Sequence, residues 1–242
     1  MTCVRINLLS GPRNVSTALM YSFAQRSDTR VVDEPLYGYY LAETGAQHPG
    51  AAQVIAAMNC DGHRVIKDII LGPCDQSVLF IKNMPHHLIN LDQTFLTKTT
   101  NIFLIRNPRE MLPSLINQIP QPTLWDTALE IQAKLYDTLK KSGQSPPVLD
   151  AKELLLKPKS VLQRLCKKIG ISFDEEMLHW QAGSRPEDGV WAPYWYHNLH
   201  KSTGFQKYKQ KSEPFPEFLK SLLAECLPHY EKLYAVAIKA DL

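Results

Sequence analysis

Two near-continuous apolar runs, SVLFIKN (77–83) and TNIFLI (100–105), constrain the fold of this chain most. Uninterrupted apolar runs of this length are typical of strands that are covered on both faces, as in parallel sheets. Three shorter segments, VRINLL, TRVVD and PVLD, are further candidate strands, and helical patterns separate the candidates along the chain. Since parallel neighbours require a crossover connection, the sequence predicts an α/β fold with a central parallel sheet between layers of helices.

Helical periodicity is predicted in seven stretches, near residues 15–26, 36–43, 50–59, 108–118, 124–141, 159–169 and 215–233. No repeat or low-complexity linker divides the chain, so residues 1–242 are predicted to form a single domain. In a parallel sheet of this kind, ligands bind beyond the carboxyl ends of the strands. The segments that follow each strand are therefore the candidates for a functional site.

Composition limits the partners of the chain. The 242 residues are 44% hydrophobic, and a net charge of +3 is spread through both halves, which predicts neither a nucleic-acid surface nor a membrane anchor. The amino-terminal segment has no long apolar core, and no other apolar run is long enough to span a membrane. Five cysteines without a CxxC pair fit reduced thiols, so we predict a cytoplasmic protein.

The loop SGPRNVST (10–17) leads from the first strand directly into a helix. Backbone amides at the start of that helix, from Asn14 to Thr17, are free to bind an anion, and the helix dipole favours negative charge there. The loop lacks the Gly-Lys-Ser/Thr ending of a Walker A motif, which disfavours a standard Mg-nucleotide cradle. A proline turn that caps a helix with Ser or Thr is also common without any ligand.

A second candidate segment, FLIRNPREMLPSL, places Arg106 at the end of a buried strand and Ser114 two turns into the next helix. Arginine suits a phosphate because its planar fork presents paired donors and never deprotonates. The alternative is an arginine that caps a neighbouring helix or pairs with a carboxylate.

These two segments, together with VLDAKELLLKPKSVLQRLCKKIGISFDEEML, resemble sulfotransferases that use 3'-phosphoadenosine 5'-phosphosulfate (PAPS). The resemblance implies a P-loop NTPase-like three-layer α/β fold of the sulfotransferase type. It also implies that Arg13 and the hydroxyl pair Ser16 and Thr17 bind the 5'-phosphosulfate, with Asn14 and Val15 in the same loop. Many cytosolic members have Lys and Gly in this loop, so Arg13 and Val15 make the chain more similar to the carbohydrate-type branch.

The same resemblance implies that Arg106 and Ser114 clasp the 3'-phosphate of PAPS. A basic, glycine-containing loop of the family corresponds to Lys201, Ser202, Thr203 and Gly204, and is expected to contact the nucleotide. Nearby aromatic residues can stack on adenine or on an acceptor, or pack as a satellite core; they are Trp191, Tyr194, Trp195 and Tyr196. His197 and His200 have helical spacing but no ligating neighbour in sequence, so no metal site is predicted.

Sulfuryl transfer needs a base near the acceptor hydroxyl and positive charge near the leaving oxygen. Glu34, directly after TRVVD, is the first candidate for the base. Arg13 is the candidate for stabilising the leaving group. Lys82 matches a family lysine, but Met84 stands where the family histidine is expected. His86 and His87 therefore remain alternative bases.

The sequence thus predicts transfer of a sulfuryl group from PAPS to a hydroxyl, or secondarily an amine, of a small or carbohydrate-like acceptor. PAP is the expected product, and no metal is required. The alternatives are a P-loop kinase-like phosphotransferase, in which Asp33 and Glu34 help to hold Mg²⁺, and a PAP- or PAPS-binding protein without catalysis.

Overall fold

A central sheet of parallel strands organises the structure, a computed structural model that describes residues 3–210 and 213–240. Within these ranges the sheet has six strands in the order β2-β3-β1-β4-β5-β6. The strands are β1 Val4–Ser10, β2 Thr29–Asp33, β3 Val78–Asn83, β4 Thr100–Ile105, β5 Val148–Asp150 and β6 Ala237–Ile238. The predicted α/β fold with a central parallel sheet is confirmed.

Helices connect the strands and cover the sheet. The α-helices are α1 Ser16–Ala24, α2 Tyr37–Thr44, α3 Ala51–Ala57, α4 Gly62–Val65, α5 Pro108–Leu115, α6 Leu124–Thr127, α7 Leu129–Lys141, α8 Ala151–Leu156, α9 Pro158–Ile169, α10 Ala192–Trp195 and α11 Lys220–Tyr234. Shorter turns are the π-helix Ile66–Ile70 and the 3₁₀ helices Pro85–Leu88, Gln93–Lys98, Glu175–Leu178 and Glu217–Leu219. In the described part of the chain, none of the helices has the length and apolar character needed to cross a membrane.

Burial on both faces of the sheet explains the uninterrupted apolar runs. Successive residues of β4 alternate between two core clusters: Ile102 packs in one cluster and Phe103 in the other. Leu162 of α9 joins the first cluster, whereas Leu112 of α5 and Leu223 of α11 join the second. Apolar burial therefore stabilises both interfaces of a three-layer arrangement.

Several element bounds agree with the sequence predictions, whereas other elements, among them α8, were not predicted. β2 and β4 begin and end where the sequence predicted, and α9 ends at Gly170, whose φ of 75° forms a left-handed cap. The predicted helix 124–141 is instead divided into α6 and α7, because Ala128 has a φ of 59°. β6, an edge strand of two residues, was not predicted.

Side-chain hydrogen bonds fix the loop after β1 against the neighbouring elements. Gln132 Nε2 donates to the carbonyl oxygens of Leu9 and Leu104, at 2.9 and 3.0 Å, at the carboxyl ends of β1 and β4. Asn14 Nδ2 also donates to Leu104 O, at 3.1 Å. A Cβ atom at Gly11 would lie 2.5 Å from Thr127 O, so only glycine fits where the loop meets the end of α6.

Candidate active site

A cavity of about 290 Å³ lies at the carboxyl ends of the first strands. It extends from the loop after β1 to the residues that follow β2 and β3. Of the predicted site residues, those that line it are Arg13, Asn14, Val15, Ser16, Thr17, Glu34, Lys82, His86, His87, Arg106, Ser202 and Gly204. The structure therefore brings into one cavity the loops that the sequence singled out separately.

At one end of the cavity, the start of α1 presents free backbone amides. The first helical bond of α1 runs from Leu19 N to Val15 O at 3.1 Å, so the amides of Ser16 to Ala18 have no partner within the helix. Val15 precedes the helix with a φ of 61°, a left-handed conformation that is costly for a β-branched residue. This conformation turns the chain sharply from β1 into α1.

Two arginines stand beside these amides. Arg13 Nε donates to Ser114 Oγ at 2.9 Å, and Arg106 Nη1 donates to the Arg13 carbonyl oxygen at 2.9 Å. Burial, and secondarily the charge of Arg106, lower the pKa of Arg13. Arg106 has a carboxylate neighbour, since its Nε lies 3.6 Å from Glu110 Oε2. Arg13 forms no ion pair with any residue in the described ranges, so positive charge accumulates at this end.

A buried charge cluster forms the floor of the cavity farther along. Asp33 and Lys82 are register partners in neighbouring parallel strands, so both side chains lie on one face of the sheet. Lys82 Nζ donates to Asp33 Oδ1 at 2.8 Å and to Glu34 Oε1, and the Lys82 side chain is only 1% exposed. Tyr196 Oη donates to Asp33 Oδ2 at 2.6 Å. Two carboxylates thus surround a single ammonium.

The electrostatics of this cluster follow from burial and from its mixed charges. Burial raises the pKa of Glu34, and the Lys82 ammonium opposes that shift. Burial by itself lowers the pKa of Lys82, but Asp33 and Glu34 outweigh it and raise this pKa well above its ordinary value. Lys82 therefore remains an ammonium, while Glu34 is a stronger proton acceptor than an exposed glutamate.

The two histidines are buried and neutral, and His87 lies near Glu34. His87 Nδ1 is 4.0 Å from Glu34 Oε2, beyond hydrogen-bond distance, and its ring stacks on Tyr37 and Tyr40 at centroid distances of 5.0 and 4.6 Å. Burial lowers the pKa of His86 to about 4, and it lowers the pKa of His87 well below its ordinary value. Buried Nδ1 atoms of both residues have no hydrogen-bond partner.

The late segment 201–204 contributes to the cavity in part. Ser202 and Gly204 line it, whereas Lys201 and Thr203 are exposed outside it. Ser202 Oγ accepts from Trp180 Nε1 at 3.1 Å and donates to Leu199 O at 2.7 Å, so this hydroxyl has structural partners. The expected contact of this segment with a nucleotide stays a prediction.

Aromatic residues of the same region pack in a satellite core, and three of them line the cavity. Trp191 and Tyr196 are buried in a satellite core, where Trp191 Nε1 donates to Tyr196 Oη at 3.0 Å. These two residues and Trp195 also line the cavity. Tyr194 is 37% exposed and hydrogen-bonds to Gln53 Oε1 outside it. His200 pairs with Asp188 at 2.9 Å.

Comparisons with known proteins agree with this architecture. The family model described as "Sulfotransferase domain" matches residues 4–237. The chain belongs to the sulfotransferase domain family. Branched-chain-amino-acid aminotransferase-like protein 2 of Arabidopsis thaliana is 41% identical over 229 residues, which cover 94% of this chain and 41% of the relative. The chain thus spans about two fifths of the length of that relative.

Solved sulfotransferase structures share the fold of this sulfotransferase domain. The sulfotransferase domain from the curacin biosynthetic pathway has a TM-score of 0.55 at 17% identity, over 93% of this chain and 97% of that one. The sulfotransferase from Alicyclobacillus acidocaldarius has a TM-score of 0.56 at 12% identity, over 100% of this chain and 98% of that one. The family match supports a transferase that carries out sulfotransfer, and the solved structures show that the fold is shared.

Several lining residues of the sulfotransferase domain carry no sequence signal for function. Tyr37 and Tyr40 of α2, His48 and Asp126 reach the cavity from helices and connections rather than from strand ends. Their spacing resembles ordinary core or surface positions, so only the folded structure identifies them. In the described ranges no group of three or more His, Cys, Asp or Glu side chains is arranged to hold a metal ion.

Proposed function

We propose that this domain transfers a sulfuryl group from PAPS to a hydroxyl of a small acceptor, which includes carbohydrate-like acceptors. One observation carries the proposal: a continuous cavity joins an arginine-rich helix start to a buried carboxylate cluster. The first end suits an anionic donor, and the second end suits a hydroxyl that must lose its proton.

The residues at the donor end fit a ligand with two anionic groups. Arg13, the hydroxyls of Ser16 and Thr17 and the free amides of α1 are the candidates for holding the 5'-phosphosulfate. Arg106 and Ser114 are the candidates for the 3'-phosphate. The Ser114 hydroxyl accepts a hydrogen bond from Arg13, so its own proton remains available to a phosphate oxygen. In the same loop, the buried Oδ1 atom of Asn14 has no hydrogen-bond partner, so it can accept a hydrogen bond from a ligand.

When bound, PAPS supplies a sulfuryl group whose bond to the 5'-phosphate oxygen breaks as a bond to the acceptor oxygen forms, releasing PAP. Glu34 accepts the hydroxyl proton of the acceptor. Lys82 holds the Glu34 carboxylate in place through its hydrogen bond to Oε1. Arg13 stabilises the negative charge that develops on the phosphate side.

Basicity favours Glu34 over the histidines as the base. Burial raises the pKa of Glu34, which makes its carboxylate more basic, whereas burial lowers the pKa of His86 to about 4. An imidazole with so low a pKa is a poor proton acceptor at neutral pH. His86 and His87 are therefore assigned to orienting the acceptor. The alternative is that one of these histidines accepts the proton in place of Glu34.

The donor assignment is tested by thermal unfolding in the presence of nucleotides. PAP should stabilise the domain by about 2.7 kcal/mol at a hundred-fold excess over its dissociation constant. ATP with Mg²⁺ lacks a 3'-phosphate for Arg106 and Ser114, so its effect at the same concentration should be much smaller. An equal or larger effect of ATP with Mg²⁺ would favour the kinase-like alternative and contradict the PAPS assignment.

The base is tested with Glu34→Gln, which keeps the side-chain size and removes the proton acceptor. Turnover of labelled PAPS with a panel of hydroxylated acceptors should fall roughly 10²–10⁴-fold, while PAP affinity stays nearly constant. His86→Ala and His87→Ala are the comparison variants. If Glu34→Gln is active and a histidine variant is inactive, the histidine is the base; PAP binding without any turnover in the parent indicates a non-catalytic binding protein.

A further inference from the structure

Part of the cavity lining is rich in aromatic rings. His48, His86 and Trp195 line it together with Tyr37 and Tyr40 of α2. The ring of His48 is 5.9 Å from that of Tyr40 and 6.2 Å from that of Trp195, measured between centroids. Because burial lowers the pKa of both His48 and His86, these imidazoles are neutral at pH 7. The rings thus form an uncharged aromatic wall.

A carboxylate faces this wall. Asp126 of α6 lines the cavity, and its charge acts on His48 and His86, opposing the effect of burial on both pKa values. Asp126 Oδ2 accepts from the Thr123 amide and hydroxyl, both at 2.7 Å. Within the described ranges no basic side chain forms an ion pair with Asp126. Its negative charge is therefore not compensated by the protein.

The basic side chains that line the cavity do not change this polarity. Lys82 is the one nearest the aromatic wall among the described residues, and Asp33 and Glu34 surround it, which leaves one negative charge in excess. Arg13 and Arg106 lie at the donor end. Positive charge therefore lies beside the start of α1, and negative charge lies beside the aromatic faces.

We infer that the acceptor is a small hydroxylated ammonium compound, that is, an amino alcohol whose cationic group binds between the aromatic wall and Asp126. This inference rests on the proposed sulfotransfer. Aromatic faces attract an ammonium through their quadrupole, and an unpaired carboxylate beside them adds direct charge attraction. An anionic acceptor would meet repulsion from Asp126 and from the excess charge of the Asp33, Glu34 and Lys82 cluster. The hydroxyl proton passes to Glu34, and the hydroxyl oxygen forms the new bond to sulfur as the bond from sulfur to the 5'-phosphate oxygen breaks.

A matched set of probes tests the inference by titration calorimetry on the full chain, with and without PAP. The probes are the hydroxyethyl-trimethylammonium ion, its neutral isostere with carbon in place of nitrogen, and a hydroxy carboxylate of similar size. The ammonium should bind about tenfold more tightly than the isostere, since the two differ only in charge. Asp126→Asn should reduce this preference about two- to fivefold. Asp75→Asn, which removes an exposed aspartate with a 79% exposed side chain, should leave it unchanged.

Each outcome bears on one proposal. If the isostere or the hydroxy carboxylate binds as well as the ammonium, or if none of the three binds at millimolar concentration, the ammonium inference is wrong, and PAP stabilisation still supports sulfotransfer. If PAP fails to stabilise the protein, the proposed function is wrong, and the titrations without PAP still decide the charge preference. Should Asp126→Asn fail to fold, the ratio of the two affinities in the parent chain decides alone.

Discussion

Replacing Lys82 with methionine tests the charge cluster on which the site depends. The Lys82 side chain is 1% exposed, and its ammonium donates to Asp33, to Glu34 and to the hydroxyl of Tyr196, so its loss leaves two buried carboxylates without a counter-charge. Methionine has a similar length and fills the same space, which separates the loss of charge from the loss of packing. The predicted result is a folded but strongly destabilised domain.

The magnitude follows from burial. Removing one partner of a buried ion pair costs about 3–5 kcal/mol, because the remaining charge stays desolvated. For a domain of this length that loss corresponds to a fall in Tm of roughly 6–20 °C. A surface pair of the same length provides the control: Lys134 Nζ and Glu130 Oε1 are also 2.8 Å apart, with side chains 70% and 36% exposed. Lys134→Met should cost about 0–1 kcal/mol.

The pH dependence of unfolding decides whether charge is the cause. Burial raises the folded-state pKa of Glu34, and without Lys82 no ammonium opposes that shift, so folding favours the protonated carboxyl. The stability deficit of Lys82→Met should therefore shrink as the pH falls and be largest at neutral pH. Chemical denaturation of both variants across acid to neutral pH measures this. A small deficit, or one that does not depend on pH, would refute the reasoning and make Lys82 a packing residue.

Two further predictions concern the donor end and the far edge of the sheet. Arg106→Ala should weaken PAP binding by about 1.5–3 kcal/mol in calorimetry, the scale of a lost charged hydrogen bond, while Arg109→Ala in the helix that follows should not. Burial raises the pKa of Asp150 from 3.8 to about 6, so its contribution to stability is present below its unfolded pKa and is lost as the pH rises through its folded pKa. Asp150→Asn retains the cap of α8 and should remove this fall between about pH 4 and pH 6 in denaturant titrations, and an unchanged pH profile would contradict it.

The sheet was predictable because its residues encode burial directly. β4 contains four consecutive apolar residues, 102–105, that pack alternately in the two core clusters, and such a run is typical of a strand covered on both faces. The interruption at Ala128 was not predictable, since alanine gives no local signal for a left-handed conformation. It arises where the end of α6 meets the loop at Gly11, a contact between residues far apart in sequence.

The sequence predicted which segments form the site, but it did not predict which side chains contact each other there. Parallel strands end at one edge of a sheet, so the sequence pointed to the loops after β1, β2, β3 and β4. It assigned Arg13 to the 5'-phosphosulfate and Ser114 to the 3'-phosphate, yet the two side chains are hydrogen-bonded to each other. The Asp33 and Lys82 pair depends on strand register, and Asp126 enters from a helix; neither has a signature in the local pattern.

Backbone strain is concentrated where the two ends of the cavity meet the sheet. Among the described residues, five that are not glycine have positive φ, and three of these, Arg13, Val15 and Glu34, lie in the cavity lining directly after β1 and β2. Each such conformation costs about 1–3 kcal/mol and persists only where surrounding contacts hold it. Here those contacts are the bond from Arg106 to the Arg13 carbonyl oxygen and the ion pair of Lys82 with Glu34. The groups proposed to bind the donor and to accept the proton are therefore held in place by the same arginine and lysine that set the charge of the cavity.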